Sequence, residues 1–304
     1  MKLASTLQRP AVPSSAPAAV AWAPIAAFCV LWSSAFAAAK IAVRDCPPLT
    51  LLTIRFLVAG LIMLALAAAH GKWRPPPLRE TAALVLLGVL NNALYLGLSW
   101  SGMTRVSSAF TAVLISTNPL LIGMLAGPVL GERLGWRKLA GLCLGLAGVA
   151  MVLRSRLGAM QEDLHGTLLV AGGLVALVAG TLLYKRLKPA AGLWTATGIQ
   201  SLAGAAALLP FALASESLGD ARFTASLFWS MAYMIVAVSM GGYYLWFMIL
   251  GRVSATSASA LHFLMPPLGL LFGWAVLGEP VSLLDMLGIV PIAMGIWLAT
   301  RAAP

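Results

Sequence analysis

A small set of polar and aromatic side chains lies inside long apolar runs of the sequence. Asn91 and Tyr95 are four residues apart, so they share one face of a helix. Polar groups at lipid depth are costly and usually face a protein interior or a water-filled cavity. Their alternative role is hydrogen bonding between helices. The same reasoning extends the candidate set for binding an amphipathic small molecule to Trp32, Ser33, Asn118, Tyr244, Trp246 and His262.

The sequence has none of the spacings that are typical of catalysis or of metal binding. Its histidines lie far apart, its cysteines form no CxxC, and it has neither paired carboxylates nor an HxxxH motif. We therefore expect no enzymatic activity, no metal and no cofactor; an integral-membrane enzyme is the alternative class. His262 is the one group near the middle of an apolar run that titrates around neutral pH, so any proton coupling is assigned to it.

The composition indicates that lipid is the main solvent of this protein. The 304 residues are 61% hydrophobic and 10% charged, with a mean hydropathy of +0.93. A soluble domain is about half apolar and about a quarter charged. The net charge of +11 comes from basic residues in short gaps between apolar runs. Membrane orientation explains that placement, so we do not expect a nucleic-acid partner.

Apolar runs of about 20 residues, the length of a membrane-spanning helix, occur about ten times. The sequence therefore predicts an all-α membrane protein with ten transmembrane helices. The first 20 residues are rich in Ala, Pro and Ser and are expected to form a disordered cytoplasmic tail. The predicted spans lie at about 21–41, 49–69, 81–99, 107–130, 136–153, 165–183, 191–213, 226–250, 254–277 and 282–300.

The distribution of basic residues predicts the orientation. With the N-terminus in the cytoplasm, the cytoplasmic gaps hold more than twice as many Lys and Arg residues as the outer gaps. This agrees with the positive-inside rule. We therefore expect a multi-pass protein of a bacterial inner membrane with both termini in the cytoplasm, present as a monomer or a weak oligomer.

The sequence repeats itself. Residues 118–133 read NPLLIGMLAGPVLGER and residues 265–280 read MPPLGLLFGWAVLGEP, so Glu279 follows Glu132 by 147 residues. At this shift several glycines also coincide, which argues for an internal duplication. The matched pairs of glycines are Gly131 and Gly278, Gly141 and Gly288, and Gly148 and Gly295.

Each copy contains five predicted spans. Because five is odd, the second copy must enter the membrane from the opposite side. We therefore predict a five-helix repeat over residues 21–156 and a second, inverted repeat over residues 157–304. Inverted repeats are typical of secondary transporters, whose substrate site lies between the repeats near the middle of the membrane. The fold prediction is thus two inverted repeats around a central cavity.

Pro119 and Pro266 coincide at the shift of 147. A proline within a helix removes a backbone hydrogen bond and kinks the helix. Paired interruptions of this kind point to a transport site or a gate, whereas the alternative is a kink that only shapes the bundle. Glu132 and Glu279 each end an apolar run, where a structural cap is favoured over proton coupling.

Residues 31–56, LWSSAFAAAKIAVRDCPPLTLLTIRF, resemble the first-hairpin signature of the EamA-type transporters of the drug/metabolite transporter superfamily. The Gly-Glu pair that follows NP and PP in the two copies is similar to that family's repeated unit. The resemblance implies a ten-helix basket with cytoplasmic termini and a cavity lined by spans one, three, four, six, eight and nine. Within the family, the YddG-like amino-acid exporters have this size and span count.

These observations predict a secondary transporter that exports small metabolites by alternating access, with aromatic or other apolar amino acids as the first choice. A drug, a nucleotide sugar or a sugar phosphate is the alternative within the same fold. The first span contains no Glu, which weakens the case for proton-driven export of cationic drugs. A phosphate would need several basic residues, and only Lys40 and Arg55 come near. Arg55 either holds the first hairpin or meets a substrate carboxylate.

Overall fold

The computed structural model of the protein describes residues 22–71, 74–106, 111, 114–132, 134–153, 163–277 and 283–300. These residues are mainly helical and contain no strand, which confirms the all-α class. The predicted disordered tail and Glu279 lie outside the described residues.

The described helices follow the predicted apolar runs. They are α1 (Trp22–Ala42), α2 (Pro48–Ala69), α3 (Leu78–Gly102), α4 (Asn118–Leu130), α5 (Trp136–Leu153), α6 (Leu164–Leu187), α7 (Leu193–Ser215), α8 (Ala225–Arg252), α9 (the consecutive segments Ala255–Ala260, Leu261–Leu264 and Met265–Leu277) and α10 (Leu283–Thr300).

Seven of the described helices are long and apolar enough to cross a membrane, namely α1, α2, α3, α6, α7, α8 and α9. Within the same residues, α4 and residues Leu287–Ala299 of α10 are shorter apolar helices. The protein therefore has the multi-pass character that its composition requires. The number of ten complete spans stays a prediction.

Several helices begin and end at residues with the expected capping chemistry. The side chains of Asp163, Thr224 and Ser254 each accept a hydrogen bond of 2.8–3.1 Å from the backbone amide three residues later. This satisfies an amide that has no partner within the helix. Gly131 ends α4 with a φ of 72°, in the left-handed region that favours glycine. The glycine of the Gly-Glu motif is thus a helix terminator.

Three carboxylates bind the backbone amides at the starts of neighbouring helices, where the helix dipole favours negative charge. Glu132 follows α4 and binds the start of α9, which confirms its predicted structural role. Glu80 lies in the first turn of α3 and binds an amide two residues before α7, and Glu216 follows α7 and binds the start of α2. The contacts are Glu132 with Ala255 N (2.7 Å) and Thr256 Oγ1 (3.0 Å), Glu80 with Ala191 N (2.7 Å), and Glu216 with Leu49 N (2.8 Å) and Thr50 N (2.7 Å).

Helices α5 and α10 pack against each other through glycines. A Cβ placed on Gly141 would lie 2.7 Å from the carbonyl oxygen of Gly295, and one on Gly148 would lie 2.8 Å from the carbonyl oxygen of Gly288. Such close backbone approach is possible only where the side chain is a hydrogen atom. Because the residue numbers rise along α5 as they fall along α10, the two helices run antiparallel.

Helices α3 and α8 each contain a nine-residue π-helical segment, Val89–Gly97 in α3 and Met234–Gly242 in α8. A π-helix is rare and is often found at functional sites. The two segments start 145 residues apart, close to the repeat shift of 147. The sequence analysis did not predict them. Tyr95 lies in the first segment, and Tyr243 directly follows the second.

Pro119 and Pro266 each follow an interruption of the α-helical backbone. Pro119 is the second residue of α4 and follows a turn at residues 116–117. Pro266 lies near the middle of α9, where it is the second residue of the last segment and follows the 3-10 turn Leu261–Leu264. At the start of α4 the missing N–H of proline costs no helical hydrogen bond. The role of the two prolines as kinks or gates stays a prediction.

Candidate functional site

Three of the predicted site residues come together in one buried group of rings. Phe28 lies between two of them, with ring centroids 5.3 Å from Trp32 and 5.4 Å from Trp246. Trp246 meets the edge of the His262 ring at 4.9 Å. Helices α1, α8 and α9 supply these side chains, and all four are buried. The sequence analysis selected Trp32, Trp246 and His262 as separate binding candidates, and the fold brings their rings into one group.

This group continues through Tyr243, whose ring lies 5.0 Å from that of Trp32 and 6.3 Å from that of Phe56. The edge-to-face arrangement of these pairs is the favoured geometry for aromatic rings. Helices α2 and α6 join here, since Phe56 belongs to α2 and Tyr184 to α6. We define the aromatic cluster as Phe28, Trp32, Phe56, Tyr184, Tyr243, Trp246, Phe247 and His262.

A buried cation lies at one edge of the aromatic cluster. Arg55 of α2 is 3% exposed and donates from Nε to the hydroxyl of Ser239 at 2.7 Å. Its guanidinium carbon lies 5.3 Å from the centroid of the Phe56 ring. Among the Lys, Arg, Asp and Glu side chains that the structure describes, Arg55 alone is buried. The one ion pair between described residues joins Arg105 and Asp163, so no described carboxylate neutralises Arg55.

One tyrosine lies close to this cation. The ring of Tyr243 lies 6.3 Å from that of Phe56, the ring that the Arg55 guanidinium covers. Tyr243 is buried, and its hydroxyl has no hydrogen-bond partner among the described residues. We define the Arg55 site as Arg55, Ser239 and Tyr243. Of these, the sequence analysis named Arg55 as either a structural residue or a partner of a substrate carboxylate.

The structure places Asn91 at a contact between helices. A Cβ on Gly180 of α6 would overlap the Asn91 side chain, and one on Gly173 would lie 2.5 Å from the hydroxyl of Ser99. The polar face of α3 thus packs on glycines of α6, as in the helix-contact alternative. Tyr95 belongs to the same face and is buried against α6. A binding role for Asn91 and for Tyr95 stays a prediction.

Asn118, Ser33 and Tyr244 lie apart from these ring contacts. Asn118 is fully buried as the first residue of α4, and its amide group has no partner among the described residues. The buried hydroxyl of Ser33 likewise has none. Tyr244 stacks on Trp194 of α7 with centroids 5.0 Å apart. Adjacent helical residues point about 100° apart, which explains why Tyr243 joins the aromatic cluster and Tyr244 does not.

His262 is surrounded by rings rather than by carboxylates. Its Nδ1 lies 3.1 Å from the carbonyl oxygen of Ser259, which fits an Nδ1–H donor in the same turn. Its other described neighbours are Phe28, at 6.4 Å between centroids, and Trp246. No described contact supplies a negative partner that would favour the protonated ring. The coupling role of His262 stays a prediction.

Two cavities lie outside the aromatic cluster. One, of about 780 Å³, lies near the end of the bundle that holds Pro47, His165 and Glu216. The other, of about 580 Å³, is an apolar groove between α1, α8 and α9 that Ser34 and Tyr233 border. No predicted site residue lines either of these two cavities. The rings of the aromatic cluster instead pack on one another.

Each half of the chain matches the same family description, the EamA-like transporter family, at residues 18–154 and 164–301. The chain belongs to the EamA-like transporter family. The double match means that this EamA-like transporter contains two copies of the family's domain, as the internal repeat indicated. It is a multi-pass membrane protein of the transporter class.

Curated relatives of this EamA-like transporter carry transporter names without a substrate. It is 25% identical over 276 residues to the "Uncharacterized transporter YoaV" of Bacillus subtilis, covering 89% of this chain and 93% of the relative. It is 26% identical over 275 residues to the "Uncharacterized inner membrane transporter YedA" of Escherichia coli, covering 89% and 87%. It is 27% identical over 282 residues to an "Uncharacterized transporter" of Archaeoglobus fulgidus, covering 92% and 98%.

A solved crystal structure has the same fold as this EamA-like transporter. It superimposes with a TM-score of 0.78 at 21% sequence identity, over 91% of this chain and 95% of the other. At that identity the likeness establishes the fold alone. The substrate has to be argued from the residues of the site.

Proposed function

We propose that the protein is a secondary transporter that exports small metabolites, chiefly amino acids with aromatic or other apolar side chains. One observation carries this proposal: the aromatic cluster directly adjoins the Arg55 site. An aromatic wall beside a cation and hydroxyl groups complements a molecule with an apolar side chain and a carboxylate. A sugar phosphate is less well supported, because several basic groups would be needed and Arg55 is the one buried cation among the described residues.

The proposed architecture is ten spans in two inverted repeats, residues 21–156 and 157–304. The packing of α5 on α10 supports this arrangement. At the shift of 147, Gly141 corresponds to Gly288 and Gly148 corresponds to Gly295. The contacts are Gly141 with Gly295 and Gly148 with Gly288, so an exchange of the two repeats maps each contact onto the other. A two-fold axis in the membrane plane would produce this pattern.

Two carboxylates join the proposed repeats, although they do not occupy equivalent positions. Glu80, in the first turn of α3, binds the chain before α7, and Glu216, which follows α7, binds the start of α2. Each repeat thus contributes an acidic side chain that binds the other repeat near the start of its second helix.

The closed packing of the aromatic cluster supports the proposal of alternating access. Its rings are in contact, so in this proposal a solute enters when helices of the two repeats separate. In this proposal the interruptions before Pro119 and Pro266 act as gates, and the termini lie in the cytoplasm of a bacterial cell. His262 is the residue proposed for proton coupling; without coupling, the protein would be a facilitator that moves solute down its gradient.

Uptake into liposomes that contain the purified protein tests this function. We expect labelled tryptophan and phenylalanine to accumulate above the level in protein-free liposomes, and glutamate, a sugar phosphate and a cationic drug to stay at that level. A proton gradient should accelerate uptake. His262→Ala should remove this acceleration, while labelled amino acid outside the liposomes still exchanges with unlabelled amino acid inside them. Transport of the drug or the sugar phosphate alone would contradict the substrate assignment. An acceleration that survives His262→Ala would contradict the coupling role.

A further inference from the structure

The Arg55 site has the composition of an anion-binding site. A guanidinium has five N–H donors, of which Nε–H donates to the hydroxyl of Ser239 at 2.7 Å, and no described carboxylate pairs with it. A charged group this deep in a membrane protein usually pairs with another group or serves the transport pathway. The planar fork of arginine matches the two oxygens of a carboxylate.

Tyr243 adds a further donor near the guanidinium. Its buried hydroxyl has no partner among the described residues, and its ring lies 6.3 Å from the Phe56 ring that the guanidinium covers. A buried hydroxyl without a partner is costly. One carboxylate placed between the two groups would satisfy both of them.

No described acidic residue lies at the Arg55 site. Every described Asp and Glu side chain falls outside the buried class. Glu80, Glu132 and Glu216 bind backbone amides at helix starts, as described above. The aromatic cluster and the Arg55 site therefore contain no described anion that could pair with an ammonium group. Charge at this site selects for an acid and against an amine.

Resting on the proposed transport function, we propose that Arg55 binds the carboxylate of the solute and that the α-amino group is not recognised by charge. The substrate class is then apolar monocarboxylates with an aromatic or branched side chain. It includes 2-oxo and 2-hydroxy acids as well as amino acids. Phe56, which stacks under the guanidinium, and Trp32, which meets Tyr243, provide the start of the apolar wall.

Ligand-induced thermal stabilisation of the purified full chain in detergent tests this inference. Three probes share one side chain: phenylalanine, 3-phenyllactate and phenethylamine. A ligand that binds the folded state raises the unfolding temperature according to its concentration relative to Kd. We expect phenylalanine and 3-phenyllactate to raise the unfolding temperature equally at concentrations within about threefold of each other. Phenethylamine should leave the unfolding temperature unchanged, because it lacks the carboxylate whose bidentate pairing with Arg55 provides most of the binding energy.

Variants of the cation test the assignment to Arg55. Arg55→Gln should weaken the effect of both acids at least tenfold. Arg55→Lys keeps the positive charge but loses the paired N–H donors of the guanidinium, so it should retain part of the stabilisation by the acids. Arg252→Gln, at the exposed end of α8, is the matched control and should behave like the wild type. If Arg55→Gln does not fold, the measurements on Arg55→Lys and the three probes on the wild type still test whether Arg55 binds the carboxylate.

The outcomes separate this inference from the transport function. Stabilisation by phenethylamine, or undiminished stabilisation of folded Arg55→Gln by the acids, would overturn the carboxylate site. Stabilisation by phenylalanine but not by 3-phenyllactate would overturn the statement on the amino group and leave amino-acid export standing. Binding of both acids without uptake of any amino acid into liposomes would instead refute the proposed function. No binding of any probe would overturn the carboxylate site.

Discussion

Gly295→Leu should abolish the recovery of folded protein. A Cβ at this position would lie 2.5 Å from the backbone nitrogen of Gly145 and 2.6 Å from the carbonyl oxygen of Gly141. Both neighbours are backbone atoms, so no side chain can move aside and the helices must separate. Overpacking usually costs about 1–3 kcal/mol, and a leucine pressed against the backbone of α5 should exceed that range. The total stability of a folded domain is only about 5–15 kcal/mol.

The amount of monodisperse protein in size-exclusion chromatography after detergent extraction measures this effect. The matched control is Gly251→Leu, because Gly251 is exposed in α8 and a Cβ there would meet nothing within 4 Å. We expect the control to reach the wild-type yield and Gly295→Leu to run as aggregate. A wild-type profile for Gly295→Leu would mean that α5 and α10 do not pack through these glycines.

Tyr243→Phe should leave the fold intact and reduce transport at least tenfold. The hydroxyl that it removes has no partner among the described residues, so its loss should be neutral for folding or slightly stabilising. In the proposed complex the same hydroxyl donates to a carboxylate. A hydrogen bond to a charged group is worth about 1.5–3 kcal/mol, which corresponds to about 10–100-fold in affinity.

The neighbouring tyrosine supplies the control for this variant. Tyr244 stacks on Trp194 and has no ring contact with the aromatic cluster among the described residues. The proposed complex does not involve its hydroxyl, so Tyr244→Phe should transport like the wild type. Both variants are compared by melting temperature and by initial uptake of the proposed substrate into liposomes. Equal transport by the two variants would show that the Tyr243 hydroxyl does not touch the solute.

The sequence predicted the secondary structure well, because lipid imposes a simple rule on it. A span needs about 20 apolar residues, and the described helices follow the runs that satisfy this rule. The Gly-Glu motif was also interpretable, since a glycine that ends a helix and a carboxylate that binds a neighbouring helix each have local signatures. The π-helical segments of α3 and α8 could not be predicted, because they have no recognised residue pattern and depend on the packing around them.

The site was predicted only in part, for reasons that differ between residues. Trp32 and Trp246 were found because a tryptophan deep within a span is unusual. Phe28 and Phe56 were missed because an aromatic residue in an apolar run has the same pattern in a packed core as in a binding wall.

Two other outcomes depend on tertiary contacts that a single sequence does not encode locally. Arg55 and Ser239 are 184 residues apart, so nothing in the sequence joins them. The face that carries Asn91 and Tyr95 was correctly placed in the protein interior. This face packs against Asn91's neighbours on α6, the small residues Gly173 and Gly180. The sequence did not indicate that α6 would be the helix in contact with Asn91.

The opposite orientation of the two repeats is tested most directly by the accessibility of two loops in intact cells. Arg74→Cys and Asp220→Cys are introduced one at a time into a variant that lacks the three native cysteines; both positions are exposed. With a membrane-impermeant thiol reagent, we expect position 220 to be labelled in intact cells and position 74 only after permeabilisation. Labelling of both positions from the same side would contradict the inverted arrangement.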